Sequence, residues 1–391
     1  MRKSAFIKNL ETSPKTVLME GFTHLLANPN QIINIGTAES KLMNDWLLPK
    51  ITDMSDFNVE YFSYMGGLNS QDFMADMASF YQDHLGITDA KPEQITTGMG
   101  IAFLVERLSL VLCDPGEIVL IPKPCYGFFE PDMKPSGCIV EYIDLDNLPP
   151  SPPEKARILL LTNPGNPYGD IIPNQDKLIK WALSNPFLHI VTDDVYALSN
   201  RNGEKYISIA GRSDIDPMRV HEFYGLSKDW GLAGFHVGFF FTRNKELMEY
   251  LNKAKTCSSM SAEVLYQSHK LFKDHKWRDD YIIEFRKRLI KAEKLTLSKL
   301  NENGINAKSY ENSLFIMVDL TDIAGTDEKE VEVYLRLIDD YHVHILPGKA
   351  GFRCEKPGWF RLCFSMSDDI LIPGLERLIK GVKEMRAEIQ K

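Results

Sequence analysis

Short β-rich runs alternate with helical stretches through the middle of this chain, and that alternation narrows the possible folds more than composition does. Most runs are bounded by Pro, Gly, Asn or Asp, which stop or turn a chain. Helical patterns lie between several of them, for example over Ala102–Leu112 and Gln175–Ser184. Strands that alternate with helices pair in parallel through crossovers, so the pattern predicts an α/β domain. The predicted strands are Ile118–Ile121, Ile139–Ile143, Ile158–Thr162, Ile190–Thr192, Val220–Tyr224 and Val237–Thr242.

From about Met260 the pattern changes to long charged helices and shorter β-rich segments, which predicts a second, smaller α+β domain. We expect three parts: residues 1–60, an N-terminal segment contributing to the small domain; residues 61–260, the large domain; and residues 261–391, the small C-terminal domain. The predicted elements are helices through Ala262–Leu300, Lys329–Tyr341 and near Pro373–Ile389, the strand Leu314–Leu320, and β-rich segments Val343–Leu346 and Trp359–Phe364.

Charge and hydropathy exclude several classes of function. The 391 residues carry a net charge of −9, which argues against nonspecific binding to a phosphate backbone, so we expect no nucleic-acid partner. The longest apolar stretches, such as Gly238–Phe241, fall far short of the ~20 residues of a membrane helix. No apolar run follows the basic N-terminus, and the six cysteines are scattered without a CxxC pair. Reduced thiols and a cytoplasmic location are therefore expected.

Three predicted strands run into polar loops at their carboxyl ends, where ligands bind in open α/β sheets. The loops are Asn163–Gly169, Asp193–Tyr196 and Gly225–Gly234, the last of which contains Lys228. Each alone is explained as a turn, a helix cap or a surface lysine. Together and in this order they match the chemistry of pyridoxal phosphate. That chemistry needs a lysine amine for a Schiff base, a carboxylate for the pyridine nitrogen, and an amide and a phenol for the ring oxygen.

An ordered series of segments extends this match along nearly the whole chain: Ile35–Ser40, Tyr64–Leu68, Asp114–Gly116, Pro122–Tyr126 and Pro357–Phe364. The chain resembles the class I/II aminotransferases, which are fold-type I pyridoxal phosphate enzymes, and within them it is most similar to 1-aminocyclopropane-1-carboxylate synthases. The resemblance implies an α/β fold with a mostly parallel seven-stranded sheet in the large domain and a smaller α+β domain. It also implies pyridoxal 5′-phosphate as cofactor and a homodimer with shared active sites.

Residue roles follow from the matched motifs. Lys228 would form the Schiff base and carry the proton, and Asp193 would pair with the pyridine nitrogen while Asp194 caps or faces solvent. Arg361 would bind the substrate carboxylate, and Glu39 resembles a pocket glutamate, although a solvated helix-cap glutamate is an equal alternative. The remaining cofactor contacts are Asn166 and Tyr196 on the 3-oxygen, Tyr126 stacked on the ring, Tyr64 on the phosphate of the neighbouring subunit, and the helix start Gly100, Ile101 and Ala102.

The chain departs from the family where the cofactor phosphate binds. The family's lysine segment reads Ser-x-Ser-Lys with an arginine eight residues after the lysine; here Gly225 and His236 stand at those two positions. The helix start at Gly100 also lacks the usual hydroxyl. Backbone N–H groups at the helix N-terminus must therefore do more of the binding, and we expect the cofactor to bind more weakly than is usual in the family.

Other motifs are weaker. Gly98-Met99-Gly100 lacks the third glycine of a dinucleotide fingerprint, and the sequence contains no GxxxxGK[ST] loop and no HExxH. His342 and His344 share a strand face without a third ligand nearby in sequence, so a structural pair is a better explanation than a metal site.

The sequence thus predicts a pyridoxal phosphate enzyme acting on an amino acid through Lys228, with transfer of the amino group to a 2-oxo acid as the first expectation. The alternative is a lyase of the 1-aminocyclopropane-1-carboxylate synthase type acting on S-adenosylmethionine. A second alternative, motivated by Gly225 and His236, is a binding or regulatory protein that has lost catalysis. The substrate side chain, the amino acceptor and the pathway stay open.

Overall fold

The computed structural model of the chain describes residues 2, 3, 7, 17–63, 70–256 and 258–390. The strands in this part are β1 Ile33–Asn34, β2 Ile95–Met99, β3 Ile118–Pro122, β4 Ile139–Ile143, β5 Ala156–Thr162, β6 His189–Asp193, β7 Val220–Gly225, β8 Val237–Phe241, β9 Ala307–Lys308, β10 Phe315–Asp319, β11 Val343–His344, β12 Leu346–Pro347 and β13 Trp359–Cys363.

A seven-stranded sheet in the order β2–β8–β7–β6–β5–β3–β4 forms the centre of the fold. Strands β3 to β7 pair in parallel, and β8 runs antiparallel to both of its neighbours, β2 and β7. Strands such as β5 (ARILLLT) are apolar on both faces, as a sheet covered on both sides requires. The predicted α/β architecture with a mostly parallel sheet is confirmed.

Helices cover both faces of this sheet. Helix Gly100–Leu112 packs one face through Leu104, Val105 and Leu108 against side chains such as Val119 and Phe240, and a larger cluster fills the other face. The α-helices of the described residues are Val17–Ala27, Asn44–Thr52, Ser70–His84, Gly100–Leu112, Phe129–Met133, Gln175–Leu183, Lys245–Ala254, Ala262–Lys273, His275–Glu302, Thr321–Ala324, Asp327–Asp339, Gly348–Phe352 and Asp368–Ile389.

The C-terminal part builds an antiparallel sheet in the order β12–β13–β10–β9, flanked by the long helices His275–Glu302 and Asp368–Ile389. Strand β1 pairs in parallel with β11, with Ile33 opposite Val343, so the N-terminal segment joins the C-terminal part through backbone hydrogen bonds. The domain limits at residues 60 and 260 stay a prediction.

Some elements differ from their predicted forms. The helices predicted through Ala262–Leu300 are Ala262–Lys273 and His275–Glu302, and they are separated at Asp274, whose side chain accepts a hydrogen bond from the Trp277 backbone N–H at 3.1 Å. The last helix begins at Asp368, before Pro373. Strand β2 was not predicted, because its sequence ITTGM has no apolar run and gains its strand conformation from pairing with β8.

Cys113, Cys125, Cys354 and Cys363 are buried free thiols, and Cys138 is a half-buried one, while Cys257 lies outside the described residues. Within the described ranges, each helix is either too short or too polar to cross a membrane.

Candidate active site

The candidate active site lies where β5, β6 and β7 end. Asp193 is the last residue of β6, Asn166 and Tyr196 follow β5 and β6 in the next loops, and Lys228 follows β7 by three residues. These strands are parallel neighbours, so their carboxyl ends meet at one edge of the sheet. Arg361 reaches the same place from β13 of the other sheet. We call these five residues the ring end of the site.

The Lys228 amine lies among charged groups of the ring end. Its Nζ donates a hydrogen bond to the carbonyl oxygen of Ala38 at 2.9 Å. Burial, and next the positive charge of Arg361, lower the pKa of Lys228, while Glu39 and Asp193 act in the opposite direction. A lowered pKa increases the fraction of free amine, which is the nucleophilic form of lysine.

The Asp193 carboxyl group is buried, with 6% of the residue exposed, and accepts one long hydrogen bond of 3.3 Å from the Val195 backbone N–H. Burial and the neighbouring charge of Asp194 raise the pKa of Asp193 to about 7, and the charge of Lys228 opposes this rise. The hydrogen bond from Val195 and the charge of Lys228 therefore only partly offset the cost of burying an ionised Asp193 carboxylate. A cationic N–H donor beside it would favour the charged form.

Asp194 does not face solvent, which corrects the expectation for this residue. It is fully buried, and its Oδ1 accepts a hydrogen bond from the Thr192 hydroxyl. The sequence DD after a strand indicated a helix cap, but β7 runs alongside, and the Asp194 backbone N–H donates to the Phe223 carbonyl at 2.9 Å. Burial raises the pKa of Asp194 to about 7.

The Arg361 guanidinium is buried between two aromatic rings, 4.7 Å from the Phe315 centroid and 4.6 Å from the Phe352 centroid. Its Nη1 donates to Asn166 Oδ1 at 2.8 Å and its Nη2 to the Gly36 carbonyl at 2.7 Å. Its Nε has no hydrogen-bond partner. Both neighbours that accept from Arg361 are neutral, so its positive charge is available to an anionic ligand. The Asn166 oxygen is occupied, which leaves the amide N–H groups for a ligand.

Tyr196 and a sixth residue, Tyr126, complete the ring end. Tyr196 is buried and packs edge-on against Phe315, with centroids 5.3 Å apart, and burial raises the pKa of its hydroxyl, so the group stays a protonated donor. Tyr126 is 38% exposed although it lies beside the buried Arg361 and Asp193. A ring that keeps an open face next to buried charges is suited to stack on a flat ligand.

A second group of residues lies where the cofactor phosphate is predicted to bind, and we call it the phosphate end. It consists of Gly100, Ile101, Ala102, Gly225 and His236. Gly100 opens helix Gly100–Leu112, which has no side-chain cap, so the first N–H groups of the helix have no side-chain acceptor there. An added Cβ on Gly100 would lie 3.9 Å from His236, and one on Gly225 would lie 3.1 Å from Ile101 Cδ1. The structure thus brings all five predicted residues together, with Ile101 beside the position of the family's serine.

Of the remaining predicted residues, Glu39 is half-buried and close enough to Lys228 for its charge to act on the amine. Its backbone carbonyl accepts from the Cys363 thiol at 3.3 Å. Tyr64, with its segment Tyr64–Leu68, lies outside the described residues. The roles assigned to all these side chains stay predictions.

Sequence reasoning missed three buried groups around the site. Asp229, next to Lys228, accepts hydrogen bonds from the Leu198 backbone N–H at 2.8 Å and from the Ser199 hydroxyl, and so ties the lysine loop to the segment after Tyr196. Cys363 and Glu222 are also fully buried near the ring end. An acidic residue directly after the lysine was the one visible signal; nothing in the local pattern singles out the other two.

His344 has structural partners, as expected. Its Nε2 lies 3.1 Å from the Tyr334 hydroxyl and its Nδ1 2.9 Å from Asn34 Oδ1. His342 Nδ1 lies 3.3 Å from the Ile338 carbonyl. Across the described ranges, no three His, Cys, Asp or Glu side chains group closely enough to hold a metal ion.

The residues present fit pyridoxal 5′-phosphate. The ring end offers an incompletely compensated carboxyl at Asp193, a neighbouring amine at Lys228 and an open aromatic face at Tyr126. The phosphate end offers an uncapped helix start, which suits an anion. The two ends lie at the same edge of the sheet, since β8 begins directly after His236 and pairs with β7 at Gly225.

Comparison with known proteins agrees with this geometry. The family model described as aminotransferase class I and II matches residues 33–378. The chain is 31% identical to 1-aminocyclopropane-1-carboxylate synthase-like protein 1 of Mus musculus, over 90% of this chain and 76% of that protein. It is 26% identical to a 1-aminocyclopropane-1-carboxylate synthase of Glycine max, over 89% and 80%. An aspartate aminotransferase structure from Thermotoga maritima superposes with a TM-score of 0.77 at 18% identity, over 97% of this chain and 100% of that one.

Proposed function

This chain belongs to the aminotransferase class I and II family of pyridoxal 5′-phosphate enzymes, and on that premise we propose that it moves the amino group of an amino acid to a 2-oxo acid. When bound, the cofactor supplies an aldehyde that condenses with amines and a protonated ring that accepts electron density from the substrate α-carbon. The chain's own residues bind and orient the substrate and move its protons.

Each role follows from a contact in the site. Arg361 binds the substrate α-carboxylate, because its charge meets only the neutral acceptors of Asn166 and Gly36. Lys228 would supply the amine that condenses with the cofactor aldehyde and would then move the proton at the substrate α-carbon, since its lowered pKa favours a free amine. Asp193 would hold the ring N–H of the cofactor, and its burial would strengthen such an ion pair.

The observation that carries the proposal is the convergence of Lys228, Asp193 and Arg361. Lys228 lies in the loop after β7, Asp193 ends β6 and Arg361 lies in β13 of the other sheet, and the charges of Arg361 and Asp193 both act on the Lys228 amine. A lysine near a buried arginine is costly unless an anion joins them. An amino acid carboxylate and a phosphorylated aldehyde supply that negative charge.

The test is an absorbance titration of the purified protein with pyridoxal phosphate, followed by a panel of amino acids with a 2-oxo acid acceptor and mass spectrometry of the products. We expect a visible band, fixed to Lys228 by borohydride reduction, and a new amino acid formed from the acceptor. Lys228→Ala should lose both. Lys253→Ala, a change to an exposed lysine paired with Glu249, should retain both. A panel in which no amino acid changes the band would contradict the proposal.

A second candidate is a lyase of the 1-aminocyclopropane-1-carboxylate synthase type, favoured by the names of the similar proteins and by the position of Glu39 beside Lys228. Such an enzyme would use the same α-proton removal to displace the sulfonium group of S-adenosylmethionine. Release of 5′-methylthioadenosine would distinguish it from transamination. Glu39→Gln should then reduce this release more than it reduces any amino transfer.

A third candidate, a binding protein that has lost catalysis, is motivated by Gly225 and His236 at the phosphate end. Retention of Lys228, Asp193 and Arg361 in one buried cluster argues against it, because drift would not be expected to spare all three. The absorbance titration decides the matter: a binding protein would form no new product, and Lys228→Ala would leave its ligand affinity unchanged.

We also propose a homodimer. Val59 is 75% and Phe62 77% exposed, and Phe62 lines a cleft of about 1120 Å³ together with Tyr61 and the segment Ser258–Ala262. Large apolar side chains exposed beside a cleft are typical of an interface. Light scattering should give twice the chain mass, and Phe62→Asp should reduce it to that of the monomer.

A further inference from the structure

Glu222 is a fully buried acid that the reaction outlined above does not use. It lies in β7, directly opposite Thr192 of β6, one position before the register pair Asp193 and Phe223. Neither of its carboxyl oxygens has a hydrogen-bond partner. Buried polar groups are nearly always paired, so an acid with two free oxygens next to an active site needs an explanation.

Its neighbours are acidic or neutral. Thr192 shares the sheet face of Glu222 and donates its hydroxyl to Asp194, which brings the Asp194 carboxyl to the same place. Asp194 Oδ2 likewise makes no hydrogen bond of good geometry, although the Ser208 and Tyr206 hydroxyls lie beside it. The Tyr81 hydroxyl lies beside Glu222, outside good hydrogen-bond geometry, and the nearby Tyr206 donates to the Asn163 carbonyl at 2.6 Å instead.

Asp193, Asp194 and Glu222 therefore form a carboxyl cluster in which both Glu222 oxygens and Asp194 Oδ2 make no hydrogen bond of good geometry. The negative charges of Asp194 and Asp193 both raise the pKa of Glu222. Lys228 supplies the positive charge that lowers the pKa of Asp193. Three ionised carboxylates in this volume would repel one another and would have lost their hydration. Burial, and next the charge of Asp194, raise the pKa of Glu222 well above its usual range, so it is the member that keeps its proton.

We propose that Glu222 is a positioning residue for the cofactor site, which as a neutral acid donates its O–H to Asp194 and leaves Asp193 as the carboxylate for the ring nitrogen. This rests on the proposed function. The donated hydrogen bond disperses the charge of Asp194, whose field otherwise favours protonation of Asp193. Glu222 acts through Asp194 and touches neither substrate nor cofactor.

Two variants separate this role from that of a space-filling side chain. Glu222→Gln keeps the size and an N–H donor but cannot ionise, whereas Glu222→Met keeps the length and removes the donor. The readouts are the dissociation constant of pyridoxal phosphate and the pH midpoint of the visible band that depends on Lys228. Circular dichroism and thermal unfolding of the cofactor-free proteins establish that each variant is folded.

We expect Glu222→Gln to stay within about twofold of the wild type. Glu222→Met should bind the cofactor about tenfold more weakly and shift the pH midpoint by about one unit, since one unit corresponds to a tenfold change in a protonation equilibrium. Equal loss in both variants would mean that Glu222 acts as a carboxylate. Wild-type behaviour of Glu222→Met would mean that it only fills space. Either result overturns the proposal.

An infrared measurement distinguishes this failure from failure of the proposed function. In cofactor-free protein, the difference spectrum between wild type and Glu222→Gln should contain the C=O band of a protonated carboxylic acid. Without that band, Glu222 is ionised and the inference is wrong, whatever the enzyme does. A protein that shows the band yet forms no Lys228-dependent absorbance with pyridoxal phosphate would instead contradict the proposed function, and with it the positioning role.

Discussion

The ring end and the phosphate end, which we propose bind one ligand, are built from different parts of the chain. The ring end consists of side chains, of which Asp193, Asn166, Tyr196 and Arg361 are buried, and each has the residue type that its matched family motif requires. The phosphate end consists of backbone at a helix start and of Gly225 and His236, where the family has a serine and an arginine. The chain therefore departs from the family's motifs where we expect the backbone to bind the cofactor, and keeps them where we expect side chains to do so.

The two ends also differ in how much folding free energy their burial of ionisable groups costs. Burial raises the pKa values of Asp193 and Asp194 to about 7, so the ring end holds acids in an environment that disfavours their charged forms. At the phosphate end His236 and Ala102 are exposed, and its precision comes from close backbone packing. The predictions below change one end at a time.

The largest effect is expected for Arg361→Lys at the ring end. Lysine cannot reproduce the fork that contacts Asn166 and Gly36 while stacking between Phe315 and Phe352. We expect kcat/KM for amino acid substrates to fall by about 100-fold or more, or about 3 kcal/mol, measured by steady-state kinetics. The matched control is Arg336→Lys, an arginine paired with Glu388 on the surface, which should change kcat/KM less than twofold. Similar kinetics for both variants would show that Arg361 does not bind substrate.

At the phosphate end, Gly238→Ala is the strongest change, because the backbone itself blocks the new methyl group. A Cβ at Gly238 would lie 2.6 Å from the Gly100 carbonyl carbon and 2.8 Å from the Ile101 nitrogen, so the helix start must move away from β8. We expect a loss of about 2–3 kcal/mol in unfolding free energy and a weaker affinity for pyridoxal phosphate.

Gly234→Ala is the control for this change, since its Cβ meets nothing within 4 Å. Denaturant unfolding and cofactor titration of the two variants check the prediction together. If Gly238→Ala destabilised the protein without weakening cofactor binding, the helix start would not be the phosphate contact.

The sequence alone predicted some residues of the two ends correctly and not others, and the difference has physical reasons. Alternation of strands and helices placed Asp193 and Lys228 at strand ends, because parallel strands place their carboxyl ends at one edge. The local pattern could not place Arg361 there, since β13 belongs to another sheet and the resemblance alone assigned its role. Asp194 was misjudged because burial by β7 is a tertiary effect that a DD pair does not reveal. Ile101 filling the space beside Gly225 depends on packing and has no signature in sequence.

A smaller change, and in the opposite direction, is expected for His236→Arg, which restores the family's cation. His236 is exposed and lies beside Gly100, so a longer side chain has room. A guanidinium with two N–H donors should bind a phosphate about tenfold more tightly than histidine does. Titration with pyridoxal phosphate measures this, with His236→Gln as the control that offers a neutral donor.

Gly225→Ser should give less benefit than His236→Arg, because its Cβ would lie 3.2 Å from the Val237 carbonyl and 3.1 Å from Ile101 Cδ1. Unchanged affinity in His236→Arg would mean that the backbone alone already saturates the phosphate contacts.

Burial of the Asp193 carboxylate costs folding free energy, and Asp193→Asn measures this cost in the cofactor-free protein. The Asp193 pKa is about 7 in the folded state and about 3.9 in an unfolded chain, so between these values the folded state binds a proton that the unfolded state has lost. Stability therefore falls as pH rises from about 4 to 7, and the penalty is complete above 7. Asparagine removes it, and because three pKa units correspond to about 4 kcal/mol, the variant should unfold about 5 °C higher than wild type at pH 8 and at the same temperature near pH 4. Asp45→Asn is the opposite control. Arg288 lowers the pKa of Asp45, so loss of the Asp45 carboxylate should lower the unfolding temperature above pH 4.

Addition of pyridoxal phosphate should then reverse the order of unfolding temperatures for Asp193→Asn and wild type, since the wild-type carboxylate gains its cationic partner and the amide does not. A variant that stayed more stable than wild type in the presence of saturating cofactor would mean that Asp193 is not the partner of the ring nitrogen.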